Sequence, residues 1–137
     1  MPHNHQVRDF MHKHFPHMKV GTPLTETVDL LREFAITGTP VMDANKNLKG
    51  FVSEQDCIRV LISASYFCDT TLKVDDVMNN EPLSVSPDMG LIDLAQQMVH
   101  EKPKIYPVVE DGKVIGVISR SDVMAALGQS LKSCVPI

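Results

Sequence analysis

The sequence contains an internal duplication, which requires the chain to fold as two copies of one structural unit. Four blocks of the first half return in the second half in unchanged order: Val7–Met11 with Val74–Met78, Val28–Leu31 with Ile92–Ala95, Thr39–Asp43 with Tyr106–Glu110, and Gly50–Asp56 with Gly116–Asp122. Their offsets are 67, 64, 67 and 66 residues, and differences this small fit loops. We therefore predict a first repeat over residues 1–66, with a His-rich lead-in, and a second over residues 67–137, with a short tail.

Each repeat is predicted to run helix, strand, strand, helix after a short extended piece. The first has a helix over residues 25–34 that ends near Gly38, strands at 40–42 and 48–52, and a helix capped by Ser53. The second has a helix over 92–100, strands at 105–109 and 114–118 around Asp111-Gly112, and a helix from 119 toward 127. Residues 63–73 connect them. About 60 residues of this kind bury themselves poorly alone, so we expect one α/β module of two repeats, packed sheet to sheet.

The repeated motif Gly-apolar-apolar-Ser-x-x-Asp carries the chemistry, at Gly50–Asp56 and Gly116–Asp122. One interpretation is local, because Ser and an acid three residues later form a capping box at a helix start. The other is a ligand site. A helix start following a strand offers free backbone N–H groups to phosphate, the Ser hydroxyl can donate to phosphate, and Asp can accept from a ribose diol. Glycine would let the ligand approach the backbone closely.

The duplication, the Pro-apolar-apolar-acid strands and the twin motifs together resemble a tandem pair of CBS domains, a Bateman module. The resemblance covers about residues 7–127. It implies two pseudo-symmetric repeats whose clefts bind an adenosine-containing ligand, namely AMP, ADP, ATP or S-adenosylmethionine. It also implies a regulatory protein and not an enzyme.

The resemblance assigns site residues to both halves. Ribose-binding positions fall on Asp56 and Asp122, and phosphate-binding hydroxyls on Ser53 and Ser119. The adenine-facing segments fall on Thr37, Gly38, Thr39 and Pro40 and on Lys104, Ile105, Tyr106 and Pro107. An early extended segment falls on Ser84 and Val85, and its first-half counterpart within residues 19–22, where we expect the first repeat to be longer.

The two sites differ in charge. Arg120 follows Ser119 and can pair with phosphate, whereas Glu54 follows Ser53 and would repel an anion. Lys104 adds a second candidate cation where the first half has Thr37. We therefore expect the Asp122 site to be the occupied one.

Composition excludes several other functions. The net charge of −4 disfavours non-specific nucleic-acid binding, and no apolar run reaches the ~18 residues of a membrane span. Three cysteines without a Cys-x-x-Cys pair, and no basic-apolar leader, favour the cytoplasm, with Cys57 a core residue. No nucleophile motif, phosphate loop or cofactor motif is present, so we expect no catalytic residues and no cofactor.

Five of the six histidines precede residue 18, which leaves a metal site or a solvated, partly helical lead-in. The absence of nearby cysteine and of a rigid second shell favours the lead-in, so we predict no metal. Methionines 78, 89, 98 and 124 are expected to fill the core.

Two functional hypotheses remain. The first is a cytoplasmic sensor that binds an adenine nucleotide and signals occupancy to a regulated partner of unknown identity. The second is a structural or dimerisation module that binds no nucleotide. Apolar positions on the last helix, Val123, Met124 and Leu127, favour a homodimer in either case.

Overall fold

The computed structural model describes residues 5–133 and has a mixed α/β architecture, which confirms the predicted fold class. Its elements are β1 (Met18–Lys19), α1 (Leu24–Glu33), β2 (Gly38–Met42), β3 (Leu48–Ser53), α2 (Glu54–Phe67), α3 (Leu91–His100), β4 (Ile105–Glu110), β5 (Lys113–Ser119) and α4 (Arg120–Ser133). Two short 3₁₀ helices, Val7–Asp9 and Val74–Asp76, precede the two sets. The matched lengths of α1 and α3, 10 residues each, and of α2 and α4, 14 residues each, reproduce the duplication.

The chain forms two compact units. The first unit consists of His14–Pro82 with Gly112–Val114, and the second of the described parts of Met1–Lys13, Leu83–Asp111 and Ile115–Ile137. Each unit therefore contains the 3₁₀ helix that opens the other repeat. The repeat boundary between residues 66 and 67 stays a prediction about the duplication.

The first unit is organised around a three-stranded sheet in the order β1-β2-β3. Strand β1 runs parallel to β2, and β2 runs antiparallel to β3 with Gly38 opposite Ser53. Seven buried residues form the core beneath it: Met18, Leu24, Leu31, Val41, Val52, Cys57 and Val74. Burial raises the pKa of the Cys57 thiol to about 11, as fits the predicted core role.

The second unit has a core of ten buried residues: Val7, Val85, Leu91, Leu94, Met98, Tyr106, Val108, Ile118, Val123 and Ala126. Strands β4 and β5 form a two-stranded sheet, to which Val85 adds a parallel bridge at Val108. Asp111 and Gly112 both have positive φ, 53° and 79°, as the two central residues of a type I′ hairpin turn require.

The second repeat block was paired wrongly in the sequence. The structure starts α1 at Leu24 and α3 at Leu91, an offset of 67 residues, so Val28 corresponds to Ala95 and not to Ile92. The error is three residues, which is close to the 3.6 residues of one helical turn and lays an apolar face back on itself. The first repeat is therefore no longer than the second before β2.

Three helix boundaries also differ from prediction. Helix α1 ends at Glu33, because Ala35 takes a positive φ of 52°, and Gly38 instead opens β2. Helix α2 continues to Phe67, where buried Ala64 holds the last turns, so part of the predicted connection is helical. Helix α4 runs past Leu127 to Ser133.

Two predictions about single side chains are wrong. Met124 is 70% exposed and does not fill the core, whereas Met98 is buried. Val123, expected on an exposed face, is buried in the second unit. Helix α4 places these neighbours on opposite faces. His3 and Cys134 lie outside the described residues.

Candidate functional site

Both Ser-x-x-Asp motifs form a capping box at the start of a helix. In the second unit the backbone N–H of Asp122 donates to Ser119 Oγ at 3.2 Å, and the backbone N–H of Ser119 donates to Asp122 Oδ2 at 2.8 Å. Ser53 and Asp56 exchange the same two bonds in the first unit, each at 3.1 Å. The local interpretation of the motif is therefore confirmed, and it holds each Asp in a fixed place at the end of a strand.

The first amide of each helix is already bonded, which corrects the expectation of free backbone donors. The N–H of Arg120 donates to the Lys104 carbonyl at 2.9 Å, and that of Glu54 donates to the Thr37 carbonyl at 2.9 Å. These bonds bring the start of the predicted adenine-facing segment against the start of the helix. Backbone capacity for phosphate is reduced, because the third amide, that of Asp122, is used by Ser119.

Ser84 and Val85 lie beside β4, as predicted. The Val85 N–H donates to the Pro107 carbonyl at 3.0 Å, and the Val109 N–H donates to the Val85 carbonyl at 2.9 Å. In the first unit Met18 pairs with Val41 in the same way. The counterpart of Val85 is therefore Met18, just before the predicted range of residues 19–22.

The adenine-facing segments are only partly accessible. Tyr106 is fully buried in the core of the second unit, and Thr39 at the same place in the first unit is also fully buried. Burial raises the pKa of the Tyr106 hydroxyl. Gly38, Pro40 and Pro107 are buried as well, whereas Lys104 and Thr37 are exposed and Ile105 is half-buried. The side chains of Tyr106 and Thr39 face their own cores and do not present their hydroxyls to a ligand.

The motif glycines make room for the protein's own backbone. Residues Met11 and His12 run antiparallel beside β5, and His12 exchanges two backbone bonds of 2.9 Å with Val117. A Cβ added to Gly116 would lie 3.1 Å from the His12 carbonyl oxygen. The close approach that the sequence assigned to a ligand is made by the chain here, so the motif glycine is no sign of a ligand.

The same crossing occurs in the first unit. Asn79 exchanges backbone bonds of 3.0 and 2.8 Å with Phe51, and a Cβ on Gly50 would lie 2.8 Å from the Asn79 carbonyl oxygen. The crossing segments are the ends of the repeated blocks Val7–Met11 and Val74–Met78.

His12 is a site residue that the sequence reasoning missed. Its Nε2 lies 3.2 Å from Asp122 Oδ2, with the two side chains 38% and 25% exposed. The signal was its position directly after the repeated block, which fixes it against the motif glycine, but it was assigned to the solvated lead-in with its neighbours. Asn79 occupies the corresponding position in the first unit, and its side-chain oxygen accepts a bond from the Glu81 N–H at 3.0 Å.

The aspartates of the two units differ in a second way. Arg59, one turn along α2, places Nη1 3.7 Å from Asp56 Oδ1. The corresponding residue of α4 is Ala125. Within residues 5–133 the hydrogen bonds and the ion pair of Asp122 all end on Oδ2. Its Oδ1 is therefore the oxygen that can accept from a ligand.

Arg120 is placed beside the loop that precedes β4. Its Nη2 donates to the Lys102 carbonyl at 2.9 Å, which uses one of the five guanidinium donors. The same side chain borders an apolar groove of about 690 Å³ between α3 and α4, lined also by Val99 and Met124. Arg120, Lys102 and Lys104 form an exposed basic group near the start of α4, whereas the first unit has Glu54, Ala35 and Thr37 at these positions.

Two further searches were negative. Across residues 5–133, no group of three or more His, Cys, Asp and Glu side chains is arranged to hold a metal ion. In the same part of the chain, no helix is both long and apolar enough to span a bilayer.

Comparison with known proteins decides the family. The model of the CBS domain matches residues 7–63 and again residues 74–129. The chain belongs to the CBS domain family. It carries two CBS domains in tandem, a CBS pair, which confirms the resemblance seen in the sequence.

Three relatives show how far the likeness extends. The crystal structure of CBSX2 in complex with AMP is 34% identical, with a TM-score of 0.81, and the match covers 91% of this chain and 97% of that one. The chloroplastic CBS domain-containing protein CBSX2 of Arabidopsis thaliana is 31% identical over 88% of this chain and 62% of its own. The uncharacterized protein MJ1225 of Methanocaldococcus jannaschii is 26% identical over 91% of this CBS pair, which spans 44% of that relative.

Proposed function

We propose that this CBS pair is a regulatory module that binds an adenosine-containing ligand at Asp122 of the second unit and signals occupancy to a partner protein. The observation that carries the proposal is the Asp122 carboxylate, fixed by its capping box with Oδ1 left to accept a ligand. The AMP complex of CBSX2, 34% identical, supports an adenine nucleotide as the ligand.

The chemistry of the site suits a ribose with an attached phosphate. Oδ1 of Asp122 can accept from the two hydroxyls of a ribose diol, and charge-assisted bonds of this kind are the stronger ones. Arg120 and Lys104, both exposed, can pair with phosphate. Ser119 donates its hydroxyl proton to Asp122 at 2.9 Å, so a phosphate would have to draw that proton away.

The first unit is the weaker candidate. Arg59 already lies near the Oδ1 of Asp56, and Glu54 stands where the second unit has Arg120. A ribose would compete with the first, and a phosphate would be repelled by the second. AMP, ADP and ATP are therefore expected to prefer the Asp122 site, and a ligand with less negative charge to tolerate the Asp56 site better.

A matched pair of variants tests the site. Asp122→Ala should weaken AMP binding by a factor of about 5 to 150, because the ribose hydroxyls lose a charged acceptor worth about 1–3 kcal/mol. Asp56→Ala is the control and should change the affinity by less than twofold. Isothermal titration calorimetry with AMP, ATP and adenosine measures both. Equal losses in the two variants would contradict the assignment to Asp122.

A third variant separates the phosphate contact from the ribose contact. Arg120→Ala should weaken ATP and AMP but leave adenosine within twofold, because adenosine has no phosphate for the guanidinium to bind. Equal losses for adenosine and ATP would show that Arg120 does not contact phosphate.

We further propose that the CBS pair forms a homodimer, in the cytoplasm, without catalytic activity of its own. The support for dimerisation is the apolar groove of the second unit, where Val99 and Met124 are 79% and 70% exposed. Sedimentation at increasing concentration tests this, with Met124→Glu expected to shift the distribution toward monomer. A protein that binds none of the nucleotides but remains dimeric would favour the alternative function, a dimerisation module.

A further inference from the structure

Three contacts converge on one oxygen atom of the candidate ligand residue. The backbone N–H of Ser119, the hydroxyl of Ser119 and the imidazole Nε2 of His12 lie 2.8, 2.9 and 3.2 Å from Asp122 Oδ2. The first two belong to the same local turn. His12 is different, because it comes from a segment 110 residues earlier in the chain.

His12 reaches this position on a fixed backbone. Two hydrogen bonds of 2.9 Å tie it to Val117, and Gly116 lies directly beneath its carbonyl oxygen. An imidazole held in this way cannot follow Asp122 if the carboxylate rotates. Its Nε2 therefore favours the one rotation of the carboxylate in which Oδ2 points inward to the three contacts and Oδ1 points away from them.

We propose that His12 is a positioning residue for ribose recognition, which orients Asp122 so that Oδ1 receives the ribose diol. This inference rests on the proposed function, since it deepens the role of the same site. Preorganisation of a recognition group raises affinity because the group does not have to be ordered when the ligand binds. The lead-in of the first repeat thereby helps to build the candidate site of the second.

The first unit provides a comparison within the same molecule. Asn79 has the position of His12, but its side chain caps the Glu81 amide, and the cation near Asp56 is Arg59 on the same helix. That arrangement places the charge against Oδ1, the oxygen a ribose needs. The histidine therefore accounts for part of the difference between the two sites.

The test compares ligands that differ only in the ribose hydroxyls. Wild-type protein should bind AMP more tightly than 2′,3′-dideoxy-AMP, and His12→Ala should reduce AMP affinity about three- to tenfold, the equivalent of one lost hydrogen bond. Affinity for the dideoxy compound should stay within twofold. His12→Gln, which keeps an N–H donor, should restore most of the discrimination, and Asn79→Ala should leave it unchanged.

Each remaining outcome counts against a stated idea. If His12→Ala lowers the affinity for both ligands equally, or for neither, His12 does not position Asp122 and the inference is overturned while ligand binding stands. If wild-type protein binds neither ligand, the proposed function itself fails. A ligand-free measurement checks the contact: the His12 imidazole ¹⁵N shifts should change in Asp122→Asn and stay unchanged in Asp56→Asn, and an unchanged spectrum in Asp122→Asn would also overturn the inference.

Discussion

The motif glycines allow a quantitative test, because the structure gives each of them a different amount of space. A Cβ on Gly50 would lie 2.6 Å from Met78 Sδ and 2.8 Å from the Asn79 carbonyl oxygen. The second of these contacts is with backbone, which cannot move without straining the two hydrogen bonds between Asn79 and Phe51. Overpacking costs about 1–3 kcal/mol, and a weakened hydrogen bond about 1 kcal/mol more. We expect Gly50→Ala to lower the free energy of unfolding by about 2–4 kcal/mol.

Gly116→Ala should be milder. Its nearest contacts would be 3.1 Å to the His12 carbonyl oxygen and 3.3 Å to Met11 Sδ, which a shift of a few tenths of an ångström relieves. We expect a loss below about 1 kcal/mol. Gly128→Ala is the control, because a Cβ there meets nothing within 4 Å on α4, and alanine should stabilise the helix by about 0.8–1.0 kcal/mol.

Urea unfolding of the three variants, analysed at a common slope, gives the order directly. The reasoning predicts Gly128→Ala above wild type, Gly116→Ala slightly below it and Gly50→Ala far below. If Gly50→Ala is as stable as Gly116→Ala, the crossing segment of the first unit does not pack against the motif glycine as described. In that case the space at the glycine would again be open to a ligand.

Two further predictions concern ionisable groups. Iodoacetamide at pH 8 should label exposed Cys68 in the native protein and spare Cys57, because burial raises the pKa of Cys57 to about 11, and mass spectrometry of the labelled peptides would expose the error if Cys57 reacts first. Hydrogen bonds from the side chain and backbone of Asn47 hold the pKa of Asp43 below its usual range, so its stabilising contribution is present above the unfolded-state value and is lost as the pH falls through the folded value. The difference in urea midpoint between wild type and Asp43→Asn should therefore be constant above about pH 5 and shrink below pH 4, and a difference independent of pH would count against it.

Much of the fold follows from local sequence signals. The Asp111-Gly112 turn, the capping boxes at Ser53 and Ser119, and the alternation of helices and strands are set by residues close in sequence, and the structure confirms them. The pairing of the early helices failed because a helical pattern repeats each turn, so an offset of 64 matched nearly as well as 67.

The candidate site was predictable only where it is local. Ser119 and Asp122 are three residues apart, so their contact could be inferred from spacing. His12 joins them through a backbone crossing with Val117, and no periodicity in one sequence reports which distant segment crosses a strand. The burial of Tyr106 was missed for a related reason, since the two faces of a strand covered on both sides carry no polar alternation.

The exchange of 3₁₀ helices between the two units has a consequence for synthesis of the protein. Val7, near the amino terminus, is fully buried and donates its N–H to the Met89 carbonyl at 2.9 Å. The first residues to leave the ribosome therefore have no partners until more than 80 further residues have been made. The first unit can complete its core once Val74 emerges, while the second unit, whose opening segment is made first, must close last. An amino-terminal truncation would then damage the half of the molecule encoded farthest from it.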